Sequence, residues 1–122
     1  MSSCKQKFDA LLAKEKIRFE SGLATISPQS TKLLKALGDT ISLCANTKIT
    51  ITGYTDNIGN TNTNLVLSKQ RAQAVLSNLF QQGVPLERMK AVGKGSDNPI
   101  ATNTTAEGQE QNRRIEINME RY

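Results

Sequence analysis

The chain has 122 residues, a formal net charge of +5, 37% hydrophobic and 22% charged residues; this is the size and balance of one ordinary folded domain, not of a disordered or fibrous chain. It holds no His and only two Cys, which removes the commonest general base and disfavours zinc or CxxC redox chemistry. No apolar run approaches the ~20 residues needed to cross a bilayer, and Met1 leads into no signal-peptide pattern, so the chain reads as cytoplasmic or as a fragment of a longer exported protein.

No repeat, charge block or Pro/Gly-rich linker divides the sequence, and residues 1–122 read as one domain: a helical extension over 1–14 and a core over 15–122. Ser3 to Ala13 places Cys4, Phe8, Leu11 and Leu12 on one helical face. Ile17 and Phe19 alternate with Lys16, Arg18 and Glu20, the pattern of a short strand with one buried face. Ser27-Pro28 is a helix start, and Leu33, Leu34, Leu37, Ile41 and Cys44 follow at helical spacing. Lys48 to Thr52 alternates cleanly and ends at Gly53, a second strand.

The stretch Thr55 to Thr63 is a polar loop. A second long helix is expected over Asn64 to Gln82, with Ala72, Val75, Leu76, Leu79 and Phe80 facing the core and Gly83 ending it. Arg88 to Val92 reads as a third strand, Gly93 to Gln111 as a long polar loop, and Arg113 to Met119 as a final strand. The order (α)β-α-β-α-β-β predicts an α/β (α+β) fold. It is a two-layer sandwich whose mixed sheet is covered by helices on one face, because the strands alternate instead of running apolar throughout.

A long polar loop in a compact domain is often functional. Gly53-Tyr54-Thr55-Asp56-Asn57-Ile58-Gly59 leaves a strand end, and Asn64, Leu67, Ser68 and Arg71 form one stripe along the following helix. If the loop folds over that helix, Asp56 and Arg71 come close. A carboxylate beside a guanidinium suits a zwitterionic ligand, the acid taking an ammonium and the arginine a carboxylate. A salt bridge that merely holds the loop is the alternative.

The run Ile51-Thr52-Gly53-Tyr54-Thr55-Asp56-x-x-Gly59, then Asn64-x-x-Leu67-Ser68-x-x-Arg71-Ala72, Gly93-x-Gly95-x-x-x-Pro99, Asn103-x-Thr105 and Asn112-Arg113-Arg114-Ile115-Glu116 resembles the OmpA-like peptidoglycan-binding domain. That domain occurs in outer-membrane porin-like proteins, peptidoglycan-associated lipoproteins and flagellar stator proteins. The resemblance runs from Ile17 to the end of the chain. It implies non-catalytic, non-covalent binding of peptidoglycan through the meso-diaminopimelate of the stem peptide, with no cofactor and no metal. It also implies a periplasmic location within an outer-membrane or cell-envelope protein of a Gram-negative-type bacterium, touching membrane only through other parts of that protein. The family's acid matches Asp56 and its arginine Arg71. Asn64, Leu67, Thr55 and Arg113 match further positions at the ligand, and Phe19-Glu20 matches a Phe-Asp pair.

Three positions depart from the family pattern. Tyr54 stands for a usual His, Glu20 is one methylene longer than Asp, and Gln109 replaces a frequent Arg near the rim. For Cys4 and Cys44 the favoured reading is a disulfide, since an even Cys count in an exported domain points that way and a subgroup of such domains looks similar; two buried free thiols, or a lipid on Cys4, are the alternatives.

Gly93-Lys94-Gly95-Ser96 lacks the spacing of a phosphate loop, and Asn103-Thr104-Thr105 fits a glycosylation sequon that is common by chance. Scattered basic residues and few aromatics argue against nucleic acid as a partner. An enzyme acting on peptidoglycan is one rival, with Asp56 and Glu107 or Glu110 as the carboxylates at hand. An envelope protein-interaction domain that has lost wall binding is the other.

Overall fold

A computed structural model describes residues 2–20 and 22–121. Helix α1 (Ser2–Lys14) lays Phe8 fully into the core, with Cys4, Leu11 and Leu12 packed beside it. Cys4 is disulfide-bonded to Cys44 across a Cα separation of 5.8 Å, so the free-thiol and lipid alternatives do not hold in this structure. After a 3₁₀ turn at Pro28–Ser30, helix α2 (Thr31–Leu43) buries Leu33, Leu34, Leu37 and Ile41. Arg88 closes its far end, donating to the carbonyls of Cys44 (3.0 Å) and Thr47 (2.9 Å), as a cation does at a helix C-terminus.

Strand β1 (Thr47–Tyr54) leads into helix α3 (Thr61–Gln81), strand β2 (Met89–Gly93), the short helix α4 (Ala106–Asn112) and strand β3 (Arg114–Arg121). The sheet order is β2-β1-β3, with β1 parallel to β2 and antiparallel to β3. Ile49, Ile51, Ile117 and Met119 are buried under the helices, while Lys48, Glu116, Asn118 and Glu120 lie exposed on alternate positions. This is the mixed, two-layer α+β arrangement the strand alternation predicts.

Gly53 and Gly93 are register partners at the ends of the parallel pair. A Cβ on Gly53 would lie 2.1 Å from the Ser68 carbonyl oxygen, and one on Gly93 2.5 Å from the Lys69 nitrogen. Both obstacles are helix backbone, so α3 rests directly on the strand ends and its first turns sit beside the loop after β1. Gly53→Ala must push α3 off the sheet. We expect a loss of about 2–3 kcal/mol, measured by denaturant unfolding; an unchanged midpoint would show that α3 is free to shift.

Four expectations are corrected. The segment Lys16 to Glu20 makes no strand of the sheet among the described residues. Its backbone closes a small hairpin instead, with a Phe19–Ile26 bridge, Glu20 N–H donating to Thr25 (2.9 Å) and Ser27 N–H to Arg18 (2.9 Å). The Arg18 N–H is taken by the Ser30 hydroxyl at 2.7 Å, and Gly22 turns the chain at φ +68. Second, α3 begins at Thr61, because the Asn60 side chain caps the Thr63 N–H. Third, α4 interrupts the expected 93–111 loop, capped by Thr105. Fourth, Phe80 is 50% exposed instead of facing the core.

Candidate ligand-binding cleft

Where β1 ends, the loop 55–60, the first turns of α3, residues 16–20 with Gly22, and the end of α4 surround a cleft of about 690 Å³. The eight residues matched to the family's ligand site line it: Phe19, Glu20, Thr55, Asp56, Asn64, Leu67, Arg71 and Arg113. Their contacts differ. Asp56 is buried, with its Oδ1 accepting from the Ile58 N–H at 2.9 Å and its Oδ2 facing Arg113 Nη1 at 2.5 Å. Its ion-pair partner is therefore Arg113, not Arg71, and the loop-holding Asp56–Arg71 salt bridge is absent among the described residues.

Arg71 reaches the same cleft from α3. Its Nε donates to the Leu23 carbonyl at 2.8 Å, and its guanidinium lies over the Phe19 ring, 5.0 Å from the centroid. Among the described residues no hydrogen bond uses its two Nη groups, and Arg71 lines the cleft. Burial lowers the Arg71 pKa, the nearby Arg113 lowers it further, and Asp56 opposes both. A ligand carboxylate at the guanidinium would offset that desolvation and repulsion.

The remaining positions shape the walls. Asn64 Nδ2 donates to the Ile58 carbonyl at 2.9 Å and holds the loop. Thr55 is buried, its N–H donating to Gly95 (2.7 Å) and its hydroxyl to the Asp56 carbonyl (2.8 Å). Glu20 is exposed on the rim. Tyr54 is buried beneath the Arg114 guanidinium, 3.9 Å from its ring centroid. Gln109 donates to the Asn103 carbonyl at 2.9 Å. Asn112 is fully buried; its Oδ1 takes the N–H groups of Ile100 and Ala101, and its Nδ2 donates to Ala101 and Asn103. It therefore ties the 100–103 segment down beside Arg113.

Glu110 and Arg113 were both named from the sequence, but their pairing and the part of Lys16 and Arg18 were not. Glu110 pairs with Arg113 (3.0 Å), with Lys16 (2.9 Å) and with Arg18 (3.6 Å), and Lys16 also donates to the Glu110 carbonyl. Lys16 and Arg18 fall on the polar side of the 16–20 alternation, and Glu110 stands three residues before Arg113 on α4; those spacings were the available signal. Burial would raise the Glu110 pKa, but its bonds and proximity to Lys16 and Arg113 outweigh it and hold the group below the usual carboxylate range. For Arg113 burial works downward, and the bonds to Asp56 and Glu110 overcome it.

A depressed carboxylate stabilises the fold above its unfolded pKa and ceases to do so as pH falls through the folded one. The stability gap between the wild type and Glu110→Gln should thus be constant near neutrality and close on acidification below about pH 4.5. Paired thermal melts from pH 7 to pH 3 check this; a gap that widens in acid would contradict the sign.

Among the described residues no group of three or more His, Cys, Asp or Glu side chains could hold a metal ion, and no helix is long and apolar enough to cross a membrane.

A model of the OmpA family matches residues 18–113. The chain is 41% identical over 103 residues to the probable lipoprotein YiaD of Escherichia coli, covering 84% of this chain and 47% of that protein. It is 42% identical over 101 residues to the peptidoglycan-binding protein ArfA of Mycobacterium tuberculosis, covering 83% of this chain and 31% of that one. The crystal structure of the peptidoglycan-associated lipoprotein from Burkholderia pseudomallei superposes with a TM-score of 0.82 at 30% identity, over 90% of this chain and 93% of that one. The chain belongs to the OmpA family. It spans less than half the length of these two curated relatives.

Proposed function

We propose that the chain is a non-catalytic peptidoglycan-binding domain that anchors an envelope protein to the cell wall from the periplasm. Membership of the OmpA family and the likeness to a relative named as peptidoglycan-binding support the broad reading. The finer reading is that the cleft takes the side chain of meso-diaminopimelate. One observation carries it: a buried carboxylate, Asp56, and the Arg71 guanidinium line the same cleft. That pair complements a group ending in both an ammonium and a carboxylate. Arg113 pairs with Asp56 and is itself shared with Glu110, so the ammonium would join an existing charge network instead of meeting a bare carboxylate. Asn64 and Thr55 hold the loop in place, and Leu67, Phe19 and Glu20 form the wall and rim.

Co-sedimentation with purified diaminopimelate-type sacculi tests the broad reading. The chain should pellet with the sacculi and release no soluble muropeptides. Retention in the supernatant would favour an envelope protein-interaction domain, and release of fragments would point to an enzyme.

A further inference from the structure

The cleft continues past Glu110. Lys16, Arg18 and Gln29 form part of its wall and also part of the wall of a second basin of about 480 Å³. That basin runs between the Pro28–Ser30 turn and the end of α1, where Leu12, Ala13 and Lys14 close it. Its makers include residues outside the 18–113 stretch matched to the family. The helix that supplies them is fixed by the Cys4–Cys44 disulfide and by the fully buried Phe8.

Three cations, Lys14, Lys16 and Arg18, line the basin against one carboxylate, Glu15. Glu110 offsets Lys16 from the cleft side but reaches Arg18 only at 3.6 Å, and the Arg18 side chain stays 55% exposed. Lys14 makes no ion pair among the described residues. A positively biased basin with a small apolar wall suits a carboxylate next to a short aliphatic side chain. In a stem peptide such carboxylates flank diaminopimelate: the α-carboxylate of the γ-linked glutamate before it and the terminal carboxylate of the alanine after it.

We propose that this basin is a second subsite, which takes a carboxylate of the residue adjoining diaminopimelate. It rests on the assignment of the main cleft to diaminopimelate. It also gives the N-terminal helix a part in recognition beyond its place in the core.

Calorimetric titration of the whole chain tests this with free meso-diaminopimelate, an Ala-γ-Glu-diaminopimelate tripeptide, the same tripeptide amidated at the glutamate, and a tetrapeptide ending in alanine as acid or as amide. The wild type should favour one acid form over its amide by about fivefold, and the pair that differs identifies which carboxylate is bound. Lys14→Glu, at an exposed position, should abolish that preference and leave the free amino acid's affinity unchanged, while Lys14→Arg should retain the preference. Equal affinity for acid and amide in both pairs, or an unaltered preference in Lys14→Glu, would overturn the subsite while leaving the main cleft intact. Failure of the wild type to bind even free diaminopimelate and both peptides would sink the main assignment and the subsite with it.

Discussion

Replacing Asp56 with alanine is expected to weaken binding of a diaminopimelate stem peptide by about 30-fold or more, and Arg71→Ala should do the same. On the proposed assignment each change would leave one end of a zwitterion desolvated without its counter-charge, which costs about 2 kcal/mol or more. The two variants should differ in kind. Asp56 also holds the Ile58 N–H and Arg113, so Asp56→Ala loosens the loop and should lower stability as well. Arg71 is partly exposed and is held by one carbonyl and one aromatic ring, so Arg71→Ala should fold normally. Lysine-type stems lack the side-chain carboxylate that Arg71 is assigned to bind. The wild type should therefore prefer diaminopimelate, and Arg71→Ala should lose most of that preference. Arg71→Lys should recover only part of it, because an ammonium cannot offer the planar two-pronged fork. A variant without Arg71 that still discriminates as the wild type does would remove the residue from the site.

The largest expected effect on stability is at the disulfide. Cys4 and Cys44 are 40 residues apart, and a cross-link closing a loop of that size contributes about 4 kcal/mol in the chain-entropy account. Mutating both cysteines to serine should lower the unfolding free energy by roughly that amount. The loss should fall hardest on α1, where Phe8 is the only fully buried side chain among the described residues. Hydrogen exchange should show α1 opening before the sheet in the variant, whereas the wild type opens the two together. Equal exchange in both proteins would mean that packing alone holds the helix.

Strong periodicity carried most of the fold into the sequence. The alternation of β1 and β3 and the apolar stripe of α2 correspond to elements seen in the structure, because burial on one face leaves a regular mark. What escaped the reading was governed by single side chains. The Asn60 and Thr105 caps set where α3 and α4 begin, yet neither changes the hydrophobic pattern. Lys16 to Glu20 alternates as a strand would, but Ser30 and the turn at Gly22 divert its backbone bonds into a hairpin. In the cleft, the residues carried by motif spacing do line one space. The pairings of Asp56 with Arg113 and of Lys16 with Glu110 join residues 57 and 94 apart, and local spacing alone does not say that these side chains meet.

The central claim is that Asp56 and Arg71 hold the two ends of one diaminopimelate side chain. Titration of the ¹⁵N-labelled chain with a diaminopimelate stem peptide tests it most directly, with amide shifts followed residue by residue. The largest shifts are expected at Asp56, Ile58, Asn64 and Arg71, and much smaller ones on the exposed face of the sheet at Lys48, Asn118 and Glu120. No shifts at millimolar peptide, or shifts centred away from the cleft, would contradict it.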